Sequence, residues 1–250
     1  MTDLLSAFDP ISLEQMSGVK LMNRTDTKFV TNVDKLRQLL ELAQQDYYVQ
    51  EIEGERNLEY DTTYFDTQAF DMYNQHQWGH TNRQKIRFRT YCINGLQFME
   101  VKTKNNHGRT KKKRIEVVDM DLMDEEKRLF LGKNLRYGVD TLQPALNNHF
   151  SRITLVNKGK TERLTIDSSL CFNNIVNGEH LDMGDLVIIE LKRDGQVFSP
   201  VLAMLKELRI QPHGFSKYSM GSALTGQDHL PVNRFKRKLI EVGKLVNSKN

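Results

Sequence analysis

The stretch Lys85-Ile86-Arg87-Phe88-Arg89 decides the expected fold, because cations and apolar residues alternate in it with a period of two. In a β-strand successive side chains point to opposite faces, so the three cations would share one face and the two apolar residues the other. The same alternation recurs at residues 24–29, 99–102, 112–116 and 188–192. Several strands with one charged and one apolar face predict a sheet whose charged side surrounds a polyanion.

The overall composition allows a domain with its own hydrophobic core, but the net charge alone does not indicate an anionic ligand. The chain has 250 residues, of which 38% are apolar, and its 36 basic and 32 acidic residues give a net charge of +4. A preference for an anion must therefore come from the placement of the charges rather than from their sum. Cys92 and Cys171 lack zinc-ligand and Cys-x-x-Cys spacing, which argues against a zinc site or a disulfide framework and favours a reducing compartment.

No stretch of the sequence predicts export or a membrane span. No apolar run approaches about 18 residues, and the N-terminus lacks a basic region followed by an apolar segment. We therefore expect a cytoplasmic location and no transmembrane segment. The basic amphipathic tail from Arg234 to Lys244 could contact an anionic membrane, but packing on its own domain is the better interpretation.

One α+β domain is the simplest organisation, spanning residues 1–250 with a core at about 20–220. Ser12-Leu13-Glu14-Gln15 matches a helix-capping box, and Asn94-Gly95 predicts a hairpin turn. Helices are predicted within 1–22 and 231–250, and at 34–45, 121–131, 143–150 and 199–209. Strands are predicted at 24–31, 59–67, 83–92, 96–104, 112–118, 152–157, 163–167, 186–192 and 217–220.

The alternating strands predict one face rich in charge and an opposite face that helices must cover. The side chains expected on the charged face are Arg24, Asp26, Lys28, Arg87, Arg89, Glu100, Lys102, Lys112, Arg114, Glu116, Arg163, Asp167, Glu190 and Lys192. A single strand of this kind commonly has a solvated face. Repetition favours a closed barrel lined by the charges, because like charges on neighbouring strands repel unless an anion lies between them.

A cationic cavity that also holds carboxylates suits a chain of phosphates. Arginine binds phosphate oxygens through two parallel hydrogen bonds, lysine supplies a point charge, and a carboxylate can anchor a bridging metal. Phosphoryl transfer depends mainly on positioning and charge stabilisation and needs no nucleophilic triad. RNA binding by base stacking is disfavoured, since Phe88 alternates onto the face opposite Arg87 and Arg89.

Seven short motifs follow one another along the chain. They are residues 23–29 (NRTDTKF), 64–67 (YFDT), 85–89 (KIRFR), 100–102 (EVK), 163–167 (RLTID), 189–192 (IELK) and 215–219 (FSKYS). Together they resemble the successive motifs of the VTC domain. That domain is the catalytic part of the vacuolar transporter chaperone polyphosphate polymerase, within the triphosphate tunnel metalloenzyme or CYTH-like superfamily.

The resemblance implies an eight-stranded antiparallel β-barrel tunnel with a polar, cationic lumen and helices packed on the outside. It also implies a divalent metal, manganese or magnesium, held by Glu190. The phosphate-binding residues that it implies are Lys28, Arg87, Arg89, Lys102, Lys112, Arg152 and Lys217, with a hydrogen bond from Ser219. Arg114 is added because it shares a strand face with Lys112, and further candidates are Arg24, Asp26, Glu100, Glu116 and Lys192.

Two departures from the family pattern limit what the resemblance implies. Where the wider superfamily often has Glu-x-Glu-x-Lys, this chain has Arg24-Thr25-Asp26-Thr27-Lys28, which leaves fewer acids for a metal. Phe150 stands where the VTC branch tends to have tyrosine, so a hydroxyl contact to phosphate is lost.

The resulting hypothesis is a metal-dependent phosphotransferase that moves the γ-phosphoryl group of ATP, or of another triphosphate, to inorganic polyphosphate. A triphosphatase would need the same cationic clamp with water as the acceptor. A module that binds polyphosphate or nucleotide without turnover is the third alternative, and the sequence leaves all three open. No DNA partner is expected, and membrane-associated partner proteins are compatible with the resemblance.

Overall fold

Eleven strands provide most of the regular structure in the computed structural model, which describes residues 1–16, 24–106, 109–195, 197–226 and 230–246. The strands are β1 (Asp9–Ile11), β2 (Arg24–Asn32), β3 (Tyr47–Gln50), β4 (Leu58–Thr67), β5 (Arg83–Tyr91), β6 (Gln97–Lys104), β7 (Thr110–Val117), β8 (Leu142–Asn157), β9 (Glu162–Asn174), β10 (His180–Asp182) and β11 (Leu186–Asp194). The helices are α1 (Thr2–Ser6), α2 (Leu13–Met16), α3 (Val33–Ala43), α4 (Asp71–Gln77), α5 (Glu125–Asn134), α6 (Pro200–Glu207), α7 (Lys217–Thr225) and α8 (Lys236–Val246). The predicted α+β class is confirmed.

A continuous antiparallel path runs through the sheet in the order β2-β11-β9-β8-β4-β5-β6-β7. β3 pairs with β8 and with β1, and β10 pairs with β9. Within the described ranges the outer strands β2 and β7 are not hydrogen-bonded to each other. The large antiparallel sheet is thus confirmed, whereas closure into a barrel by hydrogen bonds is not.

The sheet curves around its charged face. Lys28 of β2 donates from Nζ to the carbonyl oxygen of Phe215 at 2.8 Å, and Lys85 of β5 donates from Nζ to Oγ of Ser216 at 2.6 Å. β2 and β5 are five strand steps apart, which would span about 24 Å in a flat sheet. Since their lysines reach two adjacent residues, the charged side chains line a concave surface. We call this concave surface of β2, β4, β5, β6, β8, β9 and β11 the lumen.

The opposite face of the sheet is apolar and is covered by helices, as the alternation predicts. On one half, Phe29, Ile166 and Ile189 belong to a buried cluster that includes the apolar stripe of α3 and residues of α6. On the other half, the strand residues Ile86, Phe88, Met99 and Val101 pack around Leu131 of α5. Because successive side chains of a strand point to opposite faces, the residues that alternate with these apolar ones point into the lumen.

The segment after Ser216 departs from the predicted strand at 217–220 and forms α7. The hydroxyl oxygen of Ser216 accepts a hydrogen bond from the backbone N–H of Ser219, which caps the first turn of the helix. Tyr218 and Met220 of α7 then join Tyr64 and other lumen-side residues in an apolar cluster. The prediction that the helices pack on the outside is therefore wrong for α7, which fills part of the concave side.

The predicted helix at 143–150 is also wrong, because these residues form the first half of β8. They pair with β4 on one side and reach β9 on the other. Pro144, which cannot donate to a regular ladder, lies where the register between β4 and β8 shifts at Tyr64 and Phe65. Pairing with two strands outweighs a helical spacing that contains the weak helix formers Asn147 and Asn148.

The termini follow the predictions in part. The capping box is present, since the Gln15 N–H donates to Ser12 Oγ at 3.2 Å and the Ser12 N–H donates to Gln15 Oε1 at 2.9 Å. Residues 1–16 nevertheless contain α1, β1 and α2 rather than one helix over 1–22, and 17–22 lie outside the described residues. At the other end α8 confirms the predicted C-terminal helix, and 247–250 lie outside the described residues.

The other predicted elements occur within a few residues of their expected bounds, except that β9 continues well beyond residue 167 to Asn174. The turn between β5 and β6 places Gly95 at a φ of 70°, a backbone conformation that favours glycine. The extent of the domain over residues 1–250 stays a prediction.

The close approach of α7 to the concave side of the sheet depends on the absence of a side chain at Gly221. A Cβ at this position would lie 2.6 Å from Cδ1 of Phe172 and 2.7 Å from Cδ2 of Leu146. We expect Gly221→Ala to lower the free energy of unfolding by about 1 to 3 kcal/mol, because overpacking forces neighbouring side chains to shift. Urea unfolding at pH 7 measures the change.

Gly243→Ala is the matched control, since Gly243 lies in α8 and a Cβ there would meet no atom within 4 Å. Alanine is favoured over glycine in a helix by about 1 kcal/mol, so this variant should be as stable as the wild type or slightly more stable. Equal shifts in the two variants would contradict close packing at Gly221.

Candidate functional site

Asp167 of β9 joins two cations from different elements of the lumen. Arg152 of β8 donates from Nε to Asp167 Oδ1 at 2.6 Å and from Nη2 to Oδ2 at 2.8 Å, so the pair is bidentate. Nζ of Lys217, the first residue of α7, lies 2.8 Å from Oδ2 of the same carboxylate. Burial alone would raise the pKa of Asp167, but Arg152 and Lys217 hold it well below its ordinary value.

An aromatic floor lies under these cations. The guanidinium carbon of Arg152 is 5.3 Å from the ring centre of Tyr60 and 5.2 Å from that of Phe150. The ammonium group of Lys217 also lies over the Phe150 ring. Since Phe150 lacks a hydroxyl, it contributes to the site through the face of its ring, which attracts cations.

Glu100 of β6 joins a second pair of cations. Arg87 of β5, directly opposite Glu100 in the strand register, donates from Nε to Glu100 Oε2 at 2.7 Å, and Lys112 of β7 donates from Nζ to Oε1 at 3.0 Å. Glu100 is only 1% exposed. Burial would raise the pKa of Glu100, but Arg87, Arg89 and Lys112 hold it well below its ordinary value. The two carboxylates thus hold cations from β5, β7, β8 and α7.

Arg89 lies between the two carboxylate clusters. Its guanidinium donates from Nε to Thr62 Oγ1 at 3.1 Å, and its central carbon lies 5.5 Å from the ring centres of Tyr60 and Phe150. Burial and the neighbouring Arg87 and Arg152 lower the pKa of Arg89 to about 10. Arg89 therefore remains charged at pH 7, although no described carboxylate lies within ion-pair distance of it.

Three lysines of the lumen likewise have no carboxylate within ion-pair distance among the described residues. Lys28 and Lys85 donate to Phe215 and Ser216 as given above, and Lys102 lies directly opposite Lys85 in the register of β5 and β6. Arg87, burial and Arg89 hold the pKa of Lys102 well below its ordinary value. An anionic ligand in this partly buried surface would neutralise the positive charge that these lysines carry when protonated.

Glu190 of β11 is the most open lumen carboxylate of those described above. Its Oε2 lies 2.5 Å from Nζ of Lys192, and its side chain is 24% exposed, compared with 1% for Glu100 and 7% for Asp167. Burial would raise the pKa of Glu190, but Lys28 and Lys192 lower it to about 2. Glu190 is therefore ionised at neutral pH and reachable from the lumen.

The structure brings most of the predicted residues together on one surface. The side chains that lie on the lumen surface are Lys28, Arg87, Arg89, Glu100, Lys102, Arg152, Glu190, Lys192 and Lys217, and Lys112 of the neighbouring strand β7 reaches this surface through its ion pair with Glu100. Arg114 and Glu116 lie on the exposed strand β7, where Arg114 packs over the Phe98 ring at 4.3 Å. Asp26 is exposed, and the side chain of Arg24 lies outside the described residues.

Ser219 is fully buried, and its Oγ lies 2.6 Å from Nδ1 of His76, behind Ser216. From the sequence, Asp167 is predicted to lie on the charged face without a role of its own, and Lys85, Ser216 and His76 are not among the predicted site residues. Lys85 could have been found from the hairpin register, because Asn94-Gly95 brings it opposite Lys102. Ser216 lies within the motif at 215–219 but is assigned no role there, and the sequence around His76 gives no signal of a site.

The carboxylates of the lumen fit a metal that arrives together with a phosphate rather than one held by protein alone. Glu100 and Asp167 are each bound to two cations, and the described residues contain no cluster of three or more His, Cys, Asp or Glu side chains suited to a metal. Magnesium is commonly held by one or two carboxylates, water and substrate phosphates. The open carboxylate of Glu190 fits that pattern.

Comparison with known families agrees with the order of motifs in the chain. The sequence model of the VTC domain matches residues 23–225, which is most of the chain. The protein therefore belongs to the VTC domain family. A comparison with curated proteins found no match. No helix among the described residues is long and apolar enough to cross a membrane.

Solved structures similar to this chain share little sequence with it. A "putative adenylate cyclase" from Vibrio parahaemolyticus is 10% identical, with 80% of this chain and 97% of that chain covered and a TM-score of 0.47. One of the same description from Bacillus halodurans is 13% identical, with coverages of 78% and 96% and a TM-score of 0.48. A "putative adenylyl cyclase" from Hippeastrum, described as having a dominant triphosphatase activity, is 14% identical, with coverages of 85% and 99% and a TM-score of 0.46. These identities are too low to transfer an activity.

Asp167 should be essential for stability at neutral pH. Asp167→Asn leaves Arg152 and Lys217 without their carboxylate, so we expect the free energy of unfolding at pH 7 to fall by about 3 to 5 kcal/mol. Because the pKa of Asp167 is lowered in the folded state, its contribution is present above about pH 4 and is lost as the pH falls towards the folded-state pKa. Urea unfolding at pH 7 and at lower pH should show the difference from the wild type shrinking on acidification.

Asp140→Asn provides the control at an exposed ion pair. Asp140 Oδ1 lies 2.8 Å from Arg128 Nη1, and its side chain is 75% exposed. Exposed pairs contribute about 1 kcal/mol or less, so the control should change stability little. A comparable loss in both variants would show that the buried carboxylate has no special role.

Proposed function

We propose that the protein is a metal-dependent phosphotransferase that binds a triphosphate in the lumen and transfers its terminal phosphoryl group to inorganic polyphosphate. The observation that carries this proposal is the set of lumen cations without carboxylate partners among the described residues: Lys28, Lys85, Arg89 and Lys102. A chain of phosphates is an extended polyanion that can contact cations from several strands at once. The family membership supports the same substrate class.

The lumen cations would act by positioning the phosphates and stabilising their charge. Phosphoryl transfer has a transition state with charge spread over the phosphoryl oxygens, and preorganised donors stabilise it. Arg87 and Arg152 are held in place by Glu100 and Asp167, so their remaining N–H groups are oriented before a ligand arrives. Arg89 lies between them and would contact the same phosphate chain from the floor of the lumen.

Glu190 would hold a divalent metal together with phosphate oxygens. A bound manganese or magnesium ion supplies charge neutralisation between neighbouring phosphates. In its absence Lys28 and Lys192 hold the Glu190 side chain in the ionised state that a metal requires. Preference for ATP, for manganese and for polyphosphate as acceptor is part of this proposal.

The reaction is tested by its products. Purified protein with ATP and manganese should release ADP and build polyphosphate of increasing length, seen as a ladder on a denaturing gel. Free phosphate without a ladder would identify a triphosphatase, and it would overturn the choice of polyphosphate as acceptor. Tight binding of ATP with neither product would identify a binding module and overturn the assignment as an enzyme.

Glu190→Gln distinguishes the role of Glu190 in binding a metal from the role of the lumen cations in binding phosphate. With manganese we expect turnover to fall by at least about tenfold, because a metal ligand is lost. Without metal we expect tripolyphosphate to bind at least as tightly as to the wild type, because a negative charge has been removed from the lumen. Calorimetry with and without manganese measures both effects.

Lys206→Gln is the control for this experiment, since Lys206 is exposed on α6, which packs on the outer face of the sheet. Its turnover and binding should equal those of the wild type. Weaker binding of tripolyphosphate to Glu190→Gln in the absence of metal would show that Glu190 supports the fold or the clamp and not the metal.

A further inference from the structure

A chain of hydrogen bonds connects Lys85 in the lumen with a half-buried histidine. Lys85 Nζ lies 2.6 Å from Ser216 Oγ, which lies 3.2 Å from Ser219 Oγ, which in turn lies 2.6 Å from His76 Nδ1. The four residues come from β5, the N-terminal end of α7 and α4. Side chains from three separate elements thus meet in one continuous line.

The direction of donation in this chain follows from its Lys85 end, because a lysine ammonium group only donates. Lys85 donates to Ser216, whose hydroxyl donates to Ser219, whose hydroxyl donates to His76 Nδ1. Burial and the nearby Lys85 and Arg83 lower the pKa of His76 to about 2, so its ring is neutral and Nδ1 is able to accept. Ser216 Oγ also accepts the Ser219 backbone N–H at 3.3 Å. Every hydrogen-bonding position of the Ser216 hydroxyl is therefore used, and its oxygen is held fixed.

The surroundings of Lys85 are strongly positive. The titratable and charged groups that face it are Lys28 on β2, Asp66 on β4, Arg83 and Arg87 on β5, Lys102 on β6, His76 on α4 and Tyr218 on α7. Burial, followed by Arg83, Lys28 and Arg87, lowers the pKa of Lys85 to about 7, although Asp66 opposes the shift. A lysine in such a position destabilises the empty protein, because nearby like charges repel and its ammonium group is partly removed from water.

We propose that Lys85 is a further contact for the phosphate chain, and that Ser216, Ser219 and His76 position its Nζ for that contact. The inference rests on the proposed function. Lys85, Lys102 and Lys28 would then bind one stretch of phosphate from three strands, with Ser219 acting behind Lys85 rather than on the ligand itself. A phosphate beside Lys85 favours its charged form, so binding above pH 7 takes up a proton at this residue.

The test measures binding of tripolyphosphate to the full chain by calorimetry at pH 8 in two buffers that differ in ionisation enthalpy. Lys85→Met should weaken binding by about tenfold or more, as expected for loss of a hydrogen bond to a charged group. It should also lower the number of protons taken up per ligand, because the residue that changes its protonation is gone. A purely structural role for Lys85 would leave proton uptake unchanged.

Lys85→Arg distinguishes the effect of a positive charge at this position from the effect of a residue that takes up a proton on binding. Arginine stays protonated at pH 8, so this variant should recover affinity relative to Lys85→Met without recovering the proton uptake. Lys206→Met, on the exposed side of α6, should match the wild type in both measurements. Lys85→Met should fold at least as stably as the wild type without ligand, since a repelled cation has been removed, and thermal unfolding checks this.

The outcomes distinguish this inference from the proposed function. If the wild type binds tripolyphosphate and Lys85→Met binds it equally well with the same proton uptake, the role of Lys85 is overturned while the lumen site stands. If the wild type does not bind tripolyphosphate, both are overturned. If Lys85→Met loses affinity but keeps the proton uptake, Lys85 acts only through the structure of the site, and its contact with the phosphate chain is overturned while the lumen site stands.

Discussion

Crowding of positive charge on a concave, partly buried surface is the constraint on which the rest of the structure depends. The cations of the lumen outnumber the carboxylates Glu100, Asp167 and Glu190, and burial together with repulsion between the cations lowers the pKa values of Lys85, Arg89 and Lys102. Such an arrangement costs stability, because charges interact more strongly where water is partly excluded. The fold offsets this cost on the other side of the same strands, where alternate apolar residues are buried under α3, α5 and α6.

The buried carboxylates offset part of that repulsion and fix the positions of the cations that they bind. Glu100 and Asp167 each bind two cations, and in both cases the cations come from different elements of the fold. An arginine that is already held on one edge loses less conformational freedom when its other edge binds a phosphate. The buried acids therefore act as supports for the clamp, and the more open Glu190 is left for a different task. This division shows how the proposed site for a polyanion can contain acids and still keep an excess of positive charge.

Features of the fold that depend on local interactions could be predicted from the sequence, and features that depend on distant partners could not. The faces of the charged and apolar residues in β2, β5, β6 and β11 could be predicted, for example those of Lys28, Phe29 and Ile189, because a period of two is a local property of a strand and both faces carry a clear chemical signal. β8 and α7 were assigned wrongly, because their conformations depend on distant partners. Gln143–Phe150 is a strand only where β4 and β9 lie beside it, and α7 begins where Ser216 caps a turn on the lumen side.

The same limit applies to the site. Arg87, Arg89, Lys102 and Glu190 lie on the alternating strands, so their place on the charged face could be predicted, whereas the more open position of Glu190 is seen only in the structure. Ser216 and His76 were missed because each is bonded to a partner more than a hundred residues away in the sequence, Ser216 to Lys85 and His76 to Ser219. Hydroxyl and imidazole groups in such positions have no periodicity to reveal them. The role of Asp167 was missed for a related reason, since its two cations come from β8 and α7.

Helix α7 links the stability of the fold to the geometry of the site. Gly221 allows the helix to approach Phe172 and Leu146 closely, while Tyr218 and Met220 fill the apolar part of the concave side. The N-terminal end of the same helix places Ser216 against Lys85 and Lys217 against Asp167. A substitution that shifts α7 should therefore disturb the packing of the apolar cluster and the placement of Ser216 and Lys217 together, because one short helix holds both.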